Sequence, residues 1–373
     1  MRVGTRRSPA VTKATTTPTT ERTRALRNLP ASRLSRWLLP LAVWVSACAA
    51  PVARPQAAVT HAARPLHRGP LTDYVSAAGL RWLVLVKPQQ VLENPELGAA
   101  IARIVPSVRF DAFAEASGVD LRTVPDAAVA GFSYATLYLV QLPAGTAEQA
   151  RAHFGERLLA GAVTKRPHPA LVRITGVIGQ TPETLLTIDD RVLAVAVGDP
   201  VQAKIAEAYA EARLKSSPTA LRGASLSALP ALADDHVAIL YAPGPFADEW
   251  QRAANGLLQS TVALAIAVQP IGHGKVATTL FLAGAWQDSA EDAGKQLEQA
   301  WLKLVHSSAG HLFELKEDSR VTVSPEVITL RVELELDALV RALRASVLGD
   351  LSQILNLRAK SEPEPRNPEH VIP

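Results

Sequence analysis

Residues 261–285 read TVALAIAVQPIGHGKVATTLFLAGA, and this stretch contains the clearest strand-turn-strand pattern in the chain. Within residues 262–268, branched apolar residues alternate with alanines, which predicts a strand that is covered on both faces. Gly272-His273-Gly274 then turns the chain into a second strand that runs to Ala285. The stretch therefore predicts an antiparallel hairpin inside a larger sheet.

Similar elements precede and follow this hairpin. Before it, the apolar residues 237–241 predict a strand, and Phe246, Trp250 and Leu257 lie on one face of a predicted helix. After it come a helix that opens at Ser289, a hairpin around residues 324–326, and a final helix that carries Leu336. Residues 235–358 therefore form one unit of strands and helices.

The part of the chain before residue 216 has the same order of elements. An apolar strand at 83–86 is followed by a helix that begins at Asn94-Pro95, an N-cap and a first-turn proline. A strand at 128–142 and a helix opened by a Thr146–Gln149 capping box come next. Three further strands are predicted at 171–178, 183–188 and 192–197. The fold class is therefore α+β, with two similar units of mainly antiparallel sheet and helices packed on one face.

The two predicted units share their order of elements and not their residues, so an internal duplication is a hypothesis. The layout resembles that of uncharacterised exported bacterial families built from paired α+β units. This resemblance carries no diagnostic motif and implies no activity.

The first 47 residues have the composition of an export signal. They contain nine basic residues and one acid, and a short apolar run occupies residues 37–45. A basic region, an apolar run and then small residues is the order of a secretory signal. A transmembrane helix is the weaker interpretation, because it needs roughly 20 apolar residues.

Val45-Ser46-Ala47-Cys48 resembles the lipobox of bacterial lipoproteins at all four positions. The resemblance implies cleavage before Cys48 and a lipid attached to its sulfur. Cys48 is the only cysteine of the chain, so it has no disulfide partner within it. The alternatives are a plain secretory signal and a chance cysteine in an apolar segment.

These features divide the chain into six segments. They are a lipoprotein signal peptide at 1–47, an Ala/Pro-rich tether at 48–70, a first α+β unit at 71–215, a linker at 216–234, a second α+β unit at 235–358, and a disordered tail at 359–373.

The basic charge of the chain belongs to the signal. The whole chain has a formal net charge of +4, but 30 basic and 34 acidic residues remain without residues 1–47. No run of lysine and arginine with interleaved aromatic residues lies outside the signal. The mature chain is therefore not predicted to bind nucleic acid.

The chain carries none of the linear motifs of common catalytic or nucleotide-binding sites, and no cofactor is predicted. Asp235-His236 could orient a general base or bind a metal, but a polar entry into a strand is the simpler interpretation. His273 lies in the glycine turn, which could hold an anion on its backbone N–H groups or act only as a turn. Asp189-Asp190 could contribute to a calcium site, but two acids supply too few oxygens.

The sequence favours a lipid-anchored envelope protein with a non-catalytic binding, structural or accessory role. Its partners would be the membrane, through the lipid on Cys48, and an envelope protein. Ala49 follows the cysteine where many sorting systems read aspartate as a retention signal, so the resemblance implies the outer membrane, facing the periplasm. One alternative is a hydrolase with a non-linear active site that would use Asp235, His236 and His273. Another is a small-molecule carrier with a cleft between the two units, which would show as a large pocket there.

Overall fold

The stretch at 261–285 folds as the predicted hairpin, in which Thr261–Gly272 pairs antiparallel with Lys275–Gly284. The computed structural model describes residues 65–347, apart from residues 160, 233–234 and 255. The signal peptide, Cys48, the tether up to residue 64 and the predicted tail at 359–373 lie outside the described residues.

The described residues form strands and helices in alternating groups. The strands are β1 (Trp82–Val86), β2 (Ala127–Gly131), β3 (Ala135–Gln141), β4 (Val163–His168), β5 (Leu171–Ile178), β6 (Thr181–Ile188), β7 (Val192–Gly198), β8 (Ala238–Pro243), β9 (Thr261–Gly272), β10 (Lys275–Gly284), β11 (Ser319–Val323) and β12 (Val327–Glu335). The helices are α1 (Pro88–Glu93), α2 (Pro95–Ile104), α3 (Ser107–Ser117), α4 (Ala147–Arg157), α5 (Val201–Ala210), α6 (Asp248–Ala253), α7 (Ala290–Val305), α8 (Ser308–Leu312) and α9 (Leu336–Val347).

These strands form a single antiparallel sheet with the order β11-β12-β10-β9-β8-β1-β2-β3-β7-β6-β5-β4. The fold is therefore α+β, and the two similar units share one sheet. On one side of the centre the order is β1-β2-β3-β7, and on the other it is β8-β9-β10-β12. The units meet where β1 pairs with β8, with Leu83 opposite Tyr241 and Leu85 opposite Ile239.

One row of residues in register shows how a face of the sheet is built. From one side of the sheet to the other, the row contains Val321, Leu330, Leu280, Ile266, Leu240, Val84, Val129, Tyr138, Val195, Leu185 and Ile174. Because side chains alternate between the faces of a strand, all of these lie on the same face. An apolar row of this length gives the helices a continuous surface to pack against.

Most of the helices that pack on the sheet lie on this face. Phe154 of α4 packs with Leu185 and Val195, and Trp301 of α7 packs with Leu330. Helices α2 and α9 cover Val276 and its neighbours at one end of the sheet. Helix α5 is the exception: its buried alanines and Tyr209 pack with Leu137 and Leu139 on the opposite face.

Residues 216–232, which the sequence analysis assigned to a linker, are packed against the sheet. They contain 3-10 turns at Ala220–Arg222 and Leu226–Ala228, and Ala220, Leu226 and Leu229 are buried in the core with α5. We call residues 219–232 the crossing segment. Its regularly spaced apolar side chains explain why it is part of the core.

The last residues of the predicted tether are also bound to the body. The His67 N–H donates to the Ala210 carbonyl at 2.7 Å, and the Tyr74 hydroxyl donates to the His67 carbonyl at 2.9 Å. The His67 imidazole contacts the buried Asp73 carboxylate at 2.9 Å. The chain is therefore held to the body from His67 onwards.

Three local predictions were wrong. The single strand at 128–142 is the hairpin β2–β3, which turns between Gly131 and Ala135. Thr146 does not cap α4; its hydroxyl donates to the Pro143 carbonyl at 2.9 Å. Trp250, predicted on an apolar helix face, is 63% exposed.

Candidate functional site

A cavity of about 750 Å³ lies at the junction of the two halves. Its floor includes Leu85 of β1 and Ile239 of β8, which are opposite one another in the central strand pair. The crossing segment forms one wall with Leu226 and Leu229. We call this space the junction cavity. Its volume lies within the range of pockets that bind small molecules.

The lining of the junction cavity is mostly aliphatic. It consists of Pro70, Leu71, Thr72, Leu85, Val86, Lys87, Asp126, Ala127, Gln141, Leu221, Arg222, Leu226, Ser227, Leu229, Pro230, Ala231, Leu232, His236, Val237, Ala238, Ile239 and Tyr241. The only rings with a π-system among them are Tyr241 and His236. Apolar walls with few polar groups are typical of sites for hydrophobic ligands.

Tyr241 places a polar atom in this apolar setting. Its side chain lies opposite Leu83 in β1 and Ala265 in β9, and the residue is only 6% exposed. Within the described residues, no other group hydrogen-bonds to the Tyr241 hydroxyl. Burial raises the pKa of this hydroxyl above its ordinary value. It therefore stays protonated at neutral pH and can donate a hydrogen bond to a ligand in the cavity.

Asp235 and His236 come together at the edge of this cavity. The His236 Nδ1 lies 3.4 Å from Asp235 Oδ1, and the imidazole is 10% exposed whereas the carboxylate is 53% exposed. Adjacent residues within a strand point to opposite faces. The two can converge because β8 begins only at Ala238, so they precede the strand and its alternation.

The Asp235 carboxylate has a second partner, since the Gln269 side-chain amide donates to it. A charge-assisted hydrogen bond is ordinarily about 2.7–2.9 Å long, so the contact to His236 is a loose one. The pair is therefore weakly coupled, although His236 lines the cavity.

His273 is not part of this site. It lies exposed in the turn between β9 and β10, with a φ of 57° between two glycines whose φ values are 79° and 70°. The turn interpretation is therefore confirmed, because three successive residues use left-handed backbone. The Gly274 N–H donates to Glu96 at 3.1 Å, so a carboxylate of the chain itself binds this turn.

Asp189 and Asp190 form a turn in which each carboxylate has its own arginine. Asp189 contacts Arg68 at 2.6 Å, and Asp190 contacts Arg151 at 3.0 Å. Their φ values of 49° and 50° also place both residues in a left-handed turn. Across the described part of the chain, no three His, Cys, Asp or Glu side chains are grouped so that they could hold a metal ion.

Tyr241 had no signal in the sequence that distinguished it from any other strand residue. Its position is set by the pairing of β1 with β8, which joins residues far apart in the chain. The Cys48 prediction lies outside the described residues. Among residues 65–347 as described, no helix is both long and apolar enough to cross a membrane.

Comparison with known proteins identifies no family for this chain. No model of a protein family matches it, and no curated protein matches it. A solved structure, crystal form I of TP0453, is similar with a TM-score of 0.42 and 11% sequence identity. The similarity covers 75% of this chain and 98% of TP0453.

Proposed function

We propose that this protein is an exported lipoprotein whose body binds a small apolar molecule, without catalysis, in the junction cavity. The observation that carries the proposal is the cavity itself, with its mostly aliphatic lining and the hydroxyl of Tyr241, a buried strand residue at its wall. The cavity lies between the two halves, where a carrier is expected to hold its ligand.

The export and anchoring part of the proposal rests on the sequence. The basic region, the apolar run at 37–45 and the lipobox-like residues 45–48 support a lipid on Cys48. With Ala49 after the cysteine, the proposed location is the outer membrane, facing the periplasm. Two or more acyl chains hold a protein firmly on a bilayer, because each buried methylene contributes about 0.8 kcal/mol.

Mass spectrometry of the membrane-extracted protein tests the anchor. The intact mass should correspond to an acylated chain that begins at Cys48. The Cys48→Ala variant should be misprocessed or released from the membrane. A mature protein that carries a free thiol at Cys48 would contradict the proposal.

A fluorescent dye with a long alkyl chain, such as dansyl-dodecylamine, tests the cavity. Its emission should rise when it binds the mature chain. Leu221→Trp, which places an indole in the cavity lining, should reduce the binding at least tenfold. Leu304→Trp, on the exposed side of α7, is the matched control and should bind as the unaltered chain does. Equal binding by both variants would locate the dye elsewhere and refute the cavity as the site.

A hydrolase is the second candidate, because His236 lines the cavity beside Asp235. In that case His236 would act as a general base towards a ligand in the cavity. His236→Ala should then abolish hydrolysis of apolar esters while dye binding persists. If the unaltered chain hydrolyses no ester, the hydrolase candidate is rejected and only the binding role remains.

An accessory role with an envelope protein partner is compatible with the binding proposal. Purification of the tagged, lipidated chain from membranes after mild cross-linking would identify such a partner. A partner lost on Cys48→Ala but retained on Leu221→Trp would depend on the membrane location and not on the cavity.

A further inference from the structure

We propose that the ligand of the junction cavity is an acyl chain of a membrane lipid. This inference rests on the proposed function and specifies its ligand.

The lining favours a flexible aliphatic chain over a flat aromatic ligand. Leucines from the 3-10 turns of the crossing segment face the branched side chains of β1 and β8. A flat aromatic ligand would use aromatic side chains as stacking partners, whereas the lining offers only the rings of Tyr241 and His236. A methylene chain needs only apolar contact, and each buried methylene adds to the affinity.

The Tyr241 hydroxyl can donate a hydrogen bond to the ester or carboxyl group that ends an acyl chain. An ester or carboxyl oxygen can accept its hydrogen bond, while the remainder of the chain contacts aliphatic side chains. The polar lining residues Lys87, Asp126, Gln141 and Arg222 supply charged and amide groups near which a lipid head could stay hydrated. A hydroxyl beside aliphatic side chains, with charged groups elsewhere in the lining, therefore matches a molecule with one polar end.

The number of residues in the proposed tether sets an upper limit on how far the body can lie from a bilayer. The proposed lipidated Cys48 precedes Pro65, the first described residue, by 17 positions, and Pro70 and Leu71 already belong to the cavity wall. An extended chain spans at most about 3.3–3.6 Å per residue, so Pro65 can lie at most roughly 60 Å from the proposed lipid on Cys48. The contacts of His67 with Ala210 and Asp73 hold that part of the wall to the body.

A lipid-extraction assay tests the inference. The mature chain from residue 48, with Cys48→Ser so that it carries no anchor of its own, is mixed with phosphatidylcholine vesicles. The vesicles contain a self-quenching phospholipid that is labelled on one acyl chain. Extraction should relieve the quenching in proportion to protein, and Leu221→Trp should reduce it at least tenfold. Leu304→Trp should extract as much lipid as the unaltered chain.

Tyr241→Phe separates the hydrogen bond from the apolar contact. It keeps the ring and removes the hydroxyl, so extraction should weaken about threefold to tenfold, the range that loss of one neutral hydrogen bond gives. Thermal unfolding of each variant, followed by circular dichroism, shows whether it remains folded at the assay temperature.

The outcomes distinguish this inference from the proposed function. Dye binding that depends on Leu221 together with no lipid extraction would overturn the lipid assignment and retain the binding role. Binding of free fatty acid in solution without extraction from vesicles would overturn the membrane source. Failure of both assays would overturn both proposals.

Discussion

Position 131 has no room for a side chain, because the indole of Trp82 occupies the space beside Gly131. The two residues are opposite one another in β1 and β2, and a Cβ at position 131 would lie 2.1 Å from Trp82 Cε2. Such a detail is invisible in the sequence, where Gly131 belonged to a continuous predicted strand. The sequence likewise indicated Asp235 and His236 by their chemistry but could not indicate Tyr241, whose role depends on burial.

We expect Gly131→Ala to lower the free energy of unfolding by about 1–3 kcal/mol, because the indole must move. Gly155→Ala is the matched control: it lies in α4 with nothing within 4 Å of the added methyl group. It should raise stability by about 0.5–1 kcal/mol, since alanine is the better helix former. Urea denaturation of both variants measures the two changes. Equal effects would show that the Trp82 contact is unimportant.

Glu183 makes stability depend on pH. Burial raises the pKa of its carboxyl above the ordinary value, and the charge of Arg157 offsets this only in part. The folded protein therefore keeps this proton at pH values where the unfolded chain has lost it. The free energy of unfolding consequently falls as pH rises from the unfolded-state pKa through the folded-state pKa.

We expect Glu183→Gln to be more stable than the unaltered chain at neutral pH, because the amide needs no proton. The difference should vanish below about pH 4, where the carboxyl is protonated in both states. Denaturant titrations at several pH values measure this difference. Glu298→Gln, at an exposed position on α7, should show little difference at any pH. If Glu183→Gln were still more stable than the unaltered chain below about pH 4, the raised pKa of Glu183 would not be the cause.

At the scale of elements, the sequence predicted best where local chemistry decides the structure. Asn94 caps α2 as predicted, its side chain accepting from the N–H groups of Glu96 at 3.1 Å and Leu97 at 3.0 Å. Gly118 ends α3 in the left-handed conformation, with a φ of 71°. Strand β4 was missed, because Lys165-Arg166-Pro167 give it the polarity of a loop; this composition is typical of a protected edge strand.

Removal of the Asn94 cap should destabilise the protein. Asn94→Ala leaves two backbone N–H groups of α2 without their acceptor, and a cost of about 1 kcal/mol is expected. Ser107→Ala is the control, since Ser107 is exposed near the start of α3 and that helix has no side-chain cap. Chemical denaturation followed by circular dichroism compares the two. If Ser107→Ala lowered the free energy of unfolding as much as Asn94→Ala does, the loss of the Asn94 cap would not explain the effect.

At the scale of the molecule, the order of elements predicted two similar units but not how they join. Each unit was identified from its hairpins and helices, which are local. The pairing of β1 with β8 depends on residues that are distant in sequence, and a buried apolar strand such as 83–86 can pair with many others. The junction cavity exists because of this pairing, so the sequence could suggest a cleft but not its lining.

A shared sheet should unfold as one unit. Calorimetry of the mature chain should show a single transition whose calorimetric and van't Hoff enthalpies agree. Leu83→Ala, at a fully buried position of β1, should cost about 2–5 kcal/mol. With Trp82 and Trp250 replaced by Phe, the fluorescence of Trp286 and Trp301 follows unfolding of the second half alone. Leu83→Ala should lower the free energy of unfolding measured by this fluorescence as much as that measured for the whole chain, and its unfolding midpoint should fall.

Val163→Ala, at an exposed position of the edge strand β4, is the control and should change that midpoint little. Two separate transitions, or a second half that does not respond to Leu83→Ala, would show that the halves are independent.

The central position of β1 also determines when the sheet can be completed. Of the strands in residues 65–347, β1 is synthesised first, and β8 follows it only after β2 to β7. Pairs that are close in sequence, such as β5 and β6, close rapidly, whereas distant pairs close slowly. A chain made from its N-terminus therefore has an incomplete centre until its second half is available. We therefore expect the first half made alone to lack the strand that completes the centre of the sheet.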